Sequence, residues 1–387
     1  MLKKKMLKGL SLFSNIGISE ALLHETEAEI VIANEIDKNR CKFYENIYPE
    51  TKVICGDIRN LEVYRKIASE SIKMNVDFIL ATPPCQGMST IGKQHLFDER
   101  NQLIYYAINI IKNIKPKYVL IENIPQQLKT IIKVQNSKIL IPNYIKEMLE
   151  DDYFIEESII NAADYGVPQI RKRSIFLLTR KDIKILFEFL TEDQYVKHIN
   201  LSESIGHLPS LDPKIQELNL KELLRYFPKF LKKEEEGLKI SKWHRPPVHK
   251  LRHVEVMSNT PEGKSALFNE TKYPKNKDGS RVKGYKNTYK RQFWNRPAYT
   301  VTTYNGAICS QDNVHPGKPI FKENENLFSD SRVFSIYELL IVMTIPKNWN
   351  IPDWANDSLI RHSIGEGLPP LIVKKLFNKL SRSHNEK

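Results

Sequence analysis

Cysteine is scarce in this chain. Its 387 residues hold four, Cys41, Cys55, Cys85 and Cys309, with no CxxC pair and no Cys/His grouping at zinc-site spacing. That argues against a disulfide framework or a structural zinc centre and fits a reducing cytosol. Long apolar runs are missing too: none approaches the roughly 20 residues that cross a bilayer. The opening Met1-Leu2-Lys3-Lys4-Lys5-Met6-Leu7-Lys8 lacks the apolar stretch of a signal peptide, so a soluble cytoplasmic protein with no membrane partner is expected. No internal repeat is visible. What is present is globular: 41% hydrophobic and 10% aromatic residues, in a length sufficient for one large core and a second domain. Lysine and arginine number 59 against 46 acidic residues, a net charge of +13. Such an excess suits a polyanionic partner, because each phosphate neutralised releases a counterion. It is equally compatible with simple solubility.

Residues 8–180 alternate between strand-like and helix-like patterns. Leu10–Phe13, Ile30–Ala33, Lys52–Cys55, Phe78–Leu80 and Tyr118–Ile121 read as buried strands, with two more near 153–160 and 174–179. Between them, 17–24, 37–47 and 100–113 carry apolar residues at helical spacing. Strands alternating with helices predict an α/β fold with a doubly wound, mostly parallel sheet. From about 181 to 295 that rhythm stops. Charge runs and scattered prolines replace it, with two basic segments laced with aromatics, Lys242–Lys250 and Lys283–Trp294. Such interleaving suits contact with nucleic acid, although an irregular solvated surface would look alike. Order returns with a strand-like Tyr299–Thr303, a helical 335–343 and a closing helix that could pack back on the sheet.

Three elements carry chemistry. Cys85 stands in Pro84-Cys85-Gln86-Gly87-Met88-Ser89, just beyond a strand, where open α/β sheets place their ligands. Ile121-Glu122-Asn123-Ile124 ends another strand, and Gln169-Ile170-Arg171-Lys172-Arg173 leads into a third. With Asn161–Pro168, Arg296-Pro297-Ala298-Tyr299-Thr300-Val301-Thr302, His315-Pro316 and Gly365-Glu366-Gly367-Leu368-Pro369-Pro370, these stretches resemble the DNA (cytosine-5) methyltransferases of bacterial restriction–modification systems. The likeness runs through nearly the whole chain in the family's order.

The resemblance implies an S-adenosylmethionine-dependent methyltransferase fold with a second, smaller, irregular target-recognition domain. Residues 1–185 would form the catalytic and cofactor-binding domain, 186–334 the target-recognition domain, and 335–387 a segment returning to the catalytic domain. Carbon 5 of cytosine is a poor nucleophile until a thiolate adds at carbon 6, so Cys85 would be the nucleophile. Glu122, with a raised pKa, would manage the proton at ring nitrogen 3. Arg173 would reach the cytosine O2. Arg171 would sit near the nucleophile and the DNA backbone, with Gln169 in a structural role.

For the cofactor, S-adenosylmethionine, the resemblance points to Phe13, Asn15, Ile16 and Gly17 in the first turn. It adds Glu35 and Ile36 at the ribose, Asp57 and Ile58 at the adenine, and Pro83 and Glu366. Several positions depart from the family pattern: Asn15 and Ile18 stand where glycines are usual, Ile36 where an aromatic is frequent, and Glu366 where asparagine is. DNA contacts fall to Gln86, Ser89, Lys93, Gln94, Arg100 and Arg171, with the target base rotated out of a duplex. The implied partners are double-stranded DNA and a restriction endonuclease, with the enzyme a monomer. RNA methylation, a silent DNA-binding scaffold and a small-molecule methyltransferase are the competing readings.

Overall fold

The computed structural model describes residues 6–84, 99–134, 137–322 and 325–385. The first half of the chain builds β1 (Leu7–Leu12), β2 (Ala28–Glu35), α1 (Lys38–Ile47), β3 (Lys52–Cys55), α2 (Leu61–Lys73), β4 (Phe78–Ala81), α3 (Leu103–Ile114) and β5 (Tyr118–Asn123). A hairpin of β6 (Ile131–Val134) and β7 (Ser137–Leu140) follows, then α4 (Ile141–Leu149), β8 (Tyr153–Asn161) and β9 (Lys172–Arg180). Seven of these strands form one sheet in the order β3-β2-β1-β4-β5-β9-β8. Neighbours from β3 to β5 pair in parallel, whereas β9 runs antiparallel to both β5 and β8.

Both faces of the sheet are covered, which explains why β4 and β5 are buried along their whole length and apolar up to Ile121 of β5. Alternate residues serve opposite layers. Ile79, Ala81, Val119 and Ile121 face Ile67, Ile104, Ile108, Ile111 and Ile145 of α2, α3 and α4. Phe78, Leu80, Tyr118 and Leu120 face the other side.

The second half supplies α5 (Leu201–Ile205), α6 (Leu220–Tyr226), α7 (Phe230–Ile240), α8 (Leu251–Ser258), α9 (Ile336–Val342), α10 (Asp357–Glu366) and α11 (Pro370–Asn385). The last of these closes the open face: Ile372, Leu376 and Phe377 join Leu80 and Tyr118, and the rings of Phe377 and Phe78 lie 4.7 Å apart. A further core gathers Leu223, Phe230, Val254, Met257, Tyr289 and Val314. Yet another ties Ile16, Ile18 and Phe43 to Leu201, Trp243, Val301, Leu340 and Ile364. Between these two, the fully buried Arg332 pairs with Glu338 of α9 at 2.7 Å and Asp330 at 2.8 Å.

Two expected elements are absent. Residues 17–24 form turns with only a 3-10 helix at Leu23–Glu25, because the chain bends through Asn15 (φ 52) and Gly17 (φ 80) before it can wind. The apolar spacing there reflects Ile16, Ile18 and Ala21 entering a core, not a helix face. Tyr299–Thr303 joins no strand ladder. Its groups are taken by side chains instead: Tyr299 N–H donates to Gln292 Oε1 and Val301 N–H to Gln169 Oε1, each at 2.9 Å.

Candidate active site

The strand order reverses between β1 and β4, and open sheets bind ligands outside the carboxyl ends of strands at such a switch point. A cavity of about 400 Å³ lies there. Phe13, Ser14 and Asn15 reach it from β1, Asn34, Glu35 and Ile36 from β2, and Asp57 and Ile58 from β3. Pro83 follows β4, and Glu122 and Asn123 end β5. Because β9 is antiparallel, its first residues come to the same end: Asn123 is opposite Ser174, and Arg173 enters the cavity wall.

Glu122 and Arg173 meet there. Arg173 Nε lies 2.8 Å from Glu122 Oε1, and both side chains are buried. Burial pushes the Glu122 carboxyl above its usual range, with the charges of Arg173 and Arg171 pulling the other way. The pair therefore holds a carboxyl able to keep a proton beside a fixed cation. Asn123 holds the neighbouring loop: its Nδ2 donates to Pro83 O at 2.9 Å, two residues before Cys85. Cys85, Gln86, Ser89, Lys93 and Gln94 lie outside the described residues. Arg100 is exposed and lines the cavity.

The opposite wall is built for a polar ligand. Glu35 accepts from the backbone N–H of Asn15 at 3.0 Å through Oε2, and from Ile36 and Asp37 at 2.9 and 3.0 Å through Oε1. Three backbone donors thus fix its carboxylate at the end of β2. Asp57 is gripped by Arg59, whose Nη2 lies 2.7 Å from Oδ2, and that contact holds the Asp57 carboxyl below its ordinary range. The turn after β1 is bent: Phe13 (φ 58) and Asn15 (φ 52) occupy the left-handed region, which costs a side chain of the order of 1–3 kcal/mol. Thr82 Oγ1, donating to Phe13 O, helps hold that shape. Within it, Ser14 Oγ and Asn15 Oδ1 are buried with no hydrogen-bond partner among the described residues.

The model of the C-5 cytosine-specific DNA methylase family matches residues 7–382. The chain belongs to this family. It is similar to the Type II methyltransferase M1.HgaI of Avibacterium volantium, at 38% identity over 97% of this chain and 99% of that one. Its fold is that of a putative DNA modification methyltransferase from an Escherichia coli prophage, with a TM-score of 0.64, 18% identity and coverage of 98% and 99% of the two chains. A mutant of Spodoptera frugiperda DNMT2 shares it as well, with a TM-score of 0.59, 19% identity and coverage of 97% and 99%. The enzyme is a DNA cytosine-5 methyltransferase.

Within this methylase the structure brings Glu122, Arg173, Phe13, Asn15, Glu35, Ile36, Asp57, Ile58, Pro83, Glu366 and Arg100 to one cavity. Three other residues go elsewhere. Ile16 is wholly buried in a core with Phe43 and Trp349 rather than facing a cofactor. Gly17 turns toward Tyr48, whose hydroxyl donates to Gly17 O at 2.6 Å, and a Cβ there would meet that ring at 2.2 Å. Arg171 has no exposed surface to offer DNA. Its guanidinium donates to the carbonyls of Val301 at 2.7 Å and of Gly365 and Gly367 at 2.9 Å each, fastening the end of α10 to the sheet. Sequence reading missed Arg40, Arg59 and Leu103 in the cavity wall. Arg40 and Arg59 are surface-like arginines in a polar context, and only the tertiary fold shows what each faces.

Proposed function

We propose that the enzyme methylates carbon 5 of a cytosine extruded from duplex DNA, using S-adenosylmethionine and a transient bond between Cys85 and carbon 6 of the ring. The observation that carries this reading is the buried Glu122–Arg173 pair facing the Glu35 and Asp57 wall across one cavity. The cofactor fits the residues present. Pinned carboxylates at Glu35 and Asp57 suit ribose hydroxyls and an adenine amino group, while Phe13, Ile36, Ile58 and Leu103 supply apolar walls. The unpartnered Ser14 Oγ and Asn15 Oδ1 are ready for a polar ligand at the turn. When bound, the cofactor supplies an electrophilic methyl group.

The protein's own groups do the rest. The Cys85 sulfur adds to carbon 6, and Glu122 delivers a proton toward nitrogen 3 as electron density moves there. Arg173 keeps the Glu122 carboxyl in place and stabilises negative charge at O2. Carbon 5 then takes the methyl group and loses its proton to water or hydroxide, the sulfur leaves with the electron pair of its bond to carbon 6, and nitrogen 3 returns its proton to Glu122. The block 186–334 serves as the target-recognition domain. Exposed Tyr285 and Phe268 support this, as does Arg281 stacked 3.6 Å over the Tyr273 ring. Likeness to a Type II methyltransferase supports pairing with an endonuclease, and the enzyme is proposed to act in the cytoplasm as a monomer.

Incubating the enzyme with methyl-labelled S-adenosylmethionine and either duplex DNA or tRNA tests the reading. It predicts label as 5-methylcytosine at one DNA sequence, which base-resolution sequencing then identifies. Label confined to tRNA would contradict it.

A further inference from the structure

Arg40 and Glu366 face each other across the cavity rim, and each sits at the wrong end of a helix for its own charge. Arg40 is in the first turn of α1, so its cation adds to the positive N-terminal dipole, which the N-cap carboxylate of Asp37, accepting from Arg40 N–H at 2.9 Å, offsets only in part. Glu366 is the last residue of α10, whose last turn carries no Lys or Arg, so its carboxylate adds to the negative end. The two side chains offset this by pairing, Arg40 Nη1 to Glu366 Oε2 at 2.8 Å, and His362 one turn earlier lies 3.0 Å from Glu366 Oε1. Both residues line the cavity, and both are only partly exposed, at 17% and 22%. Their place is over the first turn: Asn15 Nδ2 donates to Ser363 O of α10 at 2.9 Å, and a Cβ at Gly367 would meet Ile18 at 2.8 Å. Asn15 Oδ1, buried beside this contact, has no partner among the described residues.

A ligand group with one negative and one positive end would satisfy every one of these features. We propose that Arg40 and Glu366 clamp the zwitterionic amino-acid end of the cofactor, the guanidinium taking its carboxylate and the Glu366 carboxylate its ammonium. The inference rests on the cofactor reading above. A guanidinium has five donors, so Arg40 can hold the ligand without releasing Glu366. A carboxylate placed at the α1 N-terminus and an ammonium at the α10 C-terminus each meet the dipole they favour. His362 is a positioning residue that holds Glu366 toward the rim.

Titration calorimetry on the full chain with two probes tests this: S-adenosylhomocysteine, and 5′-methylthioadenosine, which lacks the amino-acid end. Arg40→Met and Glu366→Gln should each weaken S-adenosylhomocysteine binding about tenfold or more, the loss of one charge-assisted contact, and leave 5′-methylthioadenosine within about twofold. The exchanged pair Arg40→Glu with Glu366→Arg keeps the ion pair and the fold but reverses its sense, and should lose S-adenosylhomocysteine selectively. Equal losses for both probes, or an exchanged pair that binds like the parent, would overturn the clamp. A parent enzyme that binds neither probe would instead overturn the cofactor reading on which it stands.

Discussion

Glu122 shows how a residue's surroundings set its chemistry. Burial lifts its proton affinity while Arg173 fixes its position, which suits the proton handling proposed for it. Glu122→Gln keeps the shape and removes the acid. We expect kcat to fall roughly 10²–10⁴-fold with S-adenosylhomocysteine affinity unchanged in calorimetry; a variant with near-normal turnover would remove Glu122 from the chemistry. Glu20 is a second buried carboxyl. It is hydrogen-bonded to Ser11, and burial raises it from 4.5 to about 7. Because the folded state binds this proton more tightly, its contribution to stability is complete below about pH 4.5 and is lost as pH rises through about 7. That interval is worth on the order of 3 kcal/mol. Urea unfolding of Glu20→Gln should show a shallower decline between about pH 5 and pH 7.5 than the parent, and parallel profiles would contradict the assignment. At this scale the sequence was informative wherever a cavity-lining side chain stands at its own strand end, as Glu122, Glu35 and Asp57 do. It was silent on Arg40, whose ion-pair partner is a glutamate from α10 that only folding brings across the cavity.

Elements were legible where both faces of a strand are buried. Phe78–Leu80 and Tyr118–Ile121 fall within β4 and β5, because a continuous apolar run flanked by polar turns leaves few alternatives, and the partly exposed edge strand Lys52–Cys55 also matches its expected bounds. Segments whose backbone is satisfied by distant side chains misled. Tyr299–Val301 looks like a strand and is held by Gln169, Gln292 and Arg171, and residues 17–24 look like a helix and are a turn. Arg171 is the central tie of this arrangement, a buried cation serving three carbonyls from two separate stretches. Arg171→Met would leave those carbonyls without their donor, at a cost of roughly 3 kcal/mol or more. Chemical denaturation should show a lower midpoint with the slope unchanged. A midpoint equal to the parent's would mean that α10 is held by other contacts.

At the scale of the whole molecule, the sheet gathers the Glu35 and Asp57 wall and the Glu122–Arg173 pair at the carboxyl ends of its parallel strands, and α11 covers one face. The fold class was readable from the alternation of strands and helices, but the helices of the 186–334 block were not, since α5 to α8 are short, with α5 packing on a core shared with the first half of the chain and α6 to α8 on another. The net charge of +13 belongs to this scale too. DNA affinity should fall linearly on a log–log plot against salt, by roughly a thousandfold between 50 and 200 mM if about six phosphates are neutralised, and a flat dependence would argue against a backbone-tracking surface. The most direct test of the mechanism is covalent trapping on duplex DNA in which the target cytosine is 5-fluorocytosine, with S-adenosylmethionine present. Fluorine cannot leave as a proton does, so the account predicts a denaturation-resistant protein–DNA adduct mapping to Cys85 and absent from Cys85→Ala. No adduct from an enzyme that methylates ordinary DNA, or an adduct that survives in Cys85→Ala, would contradict it.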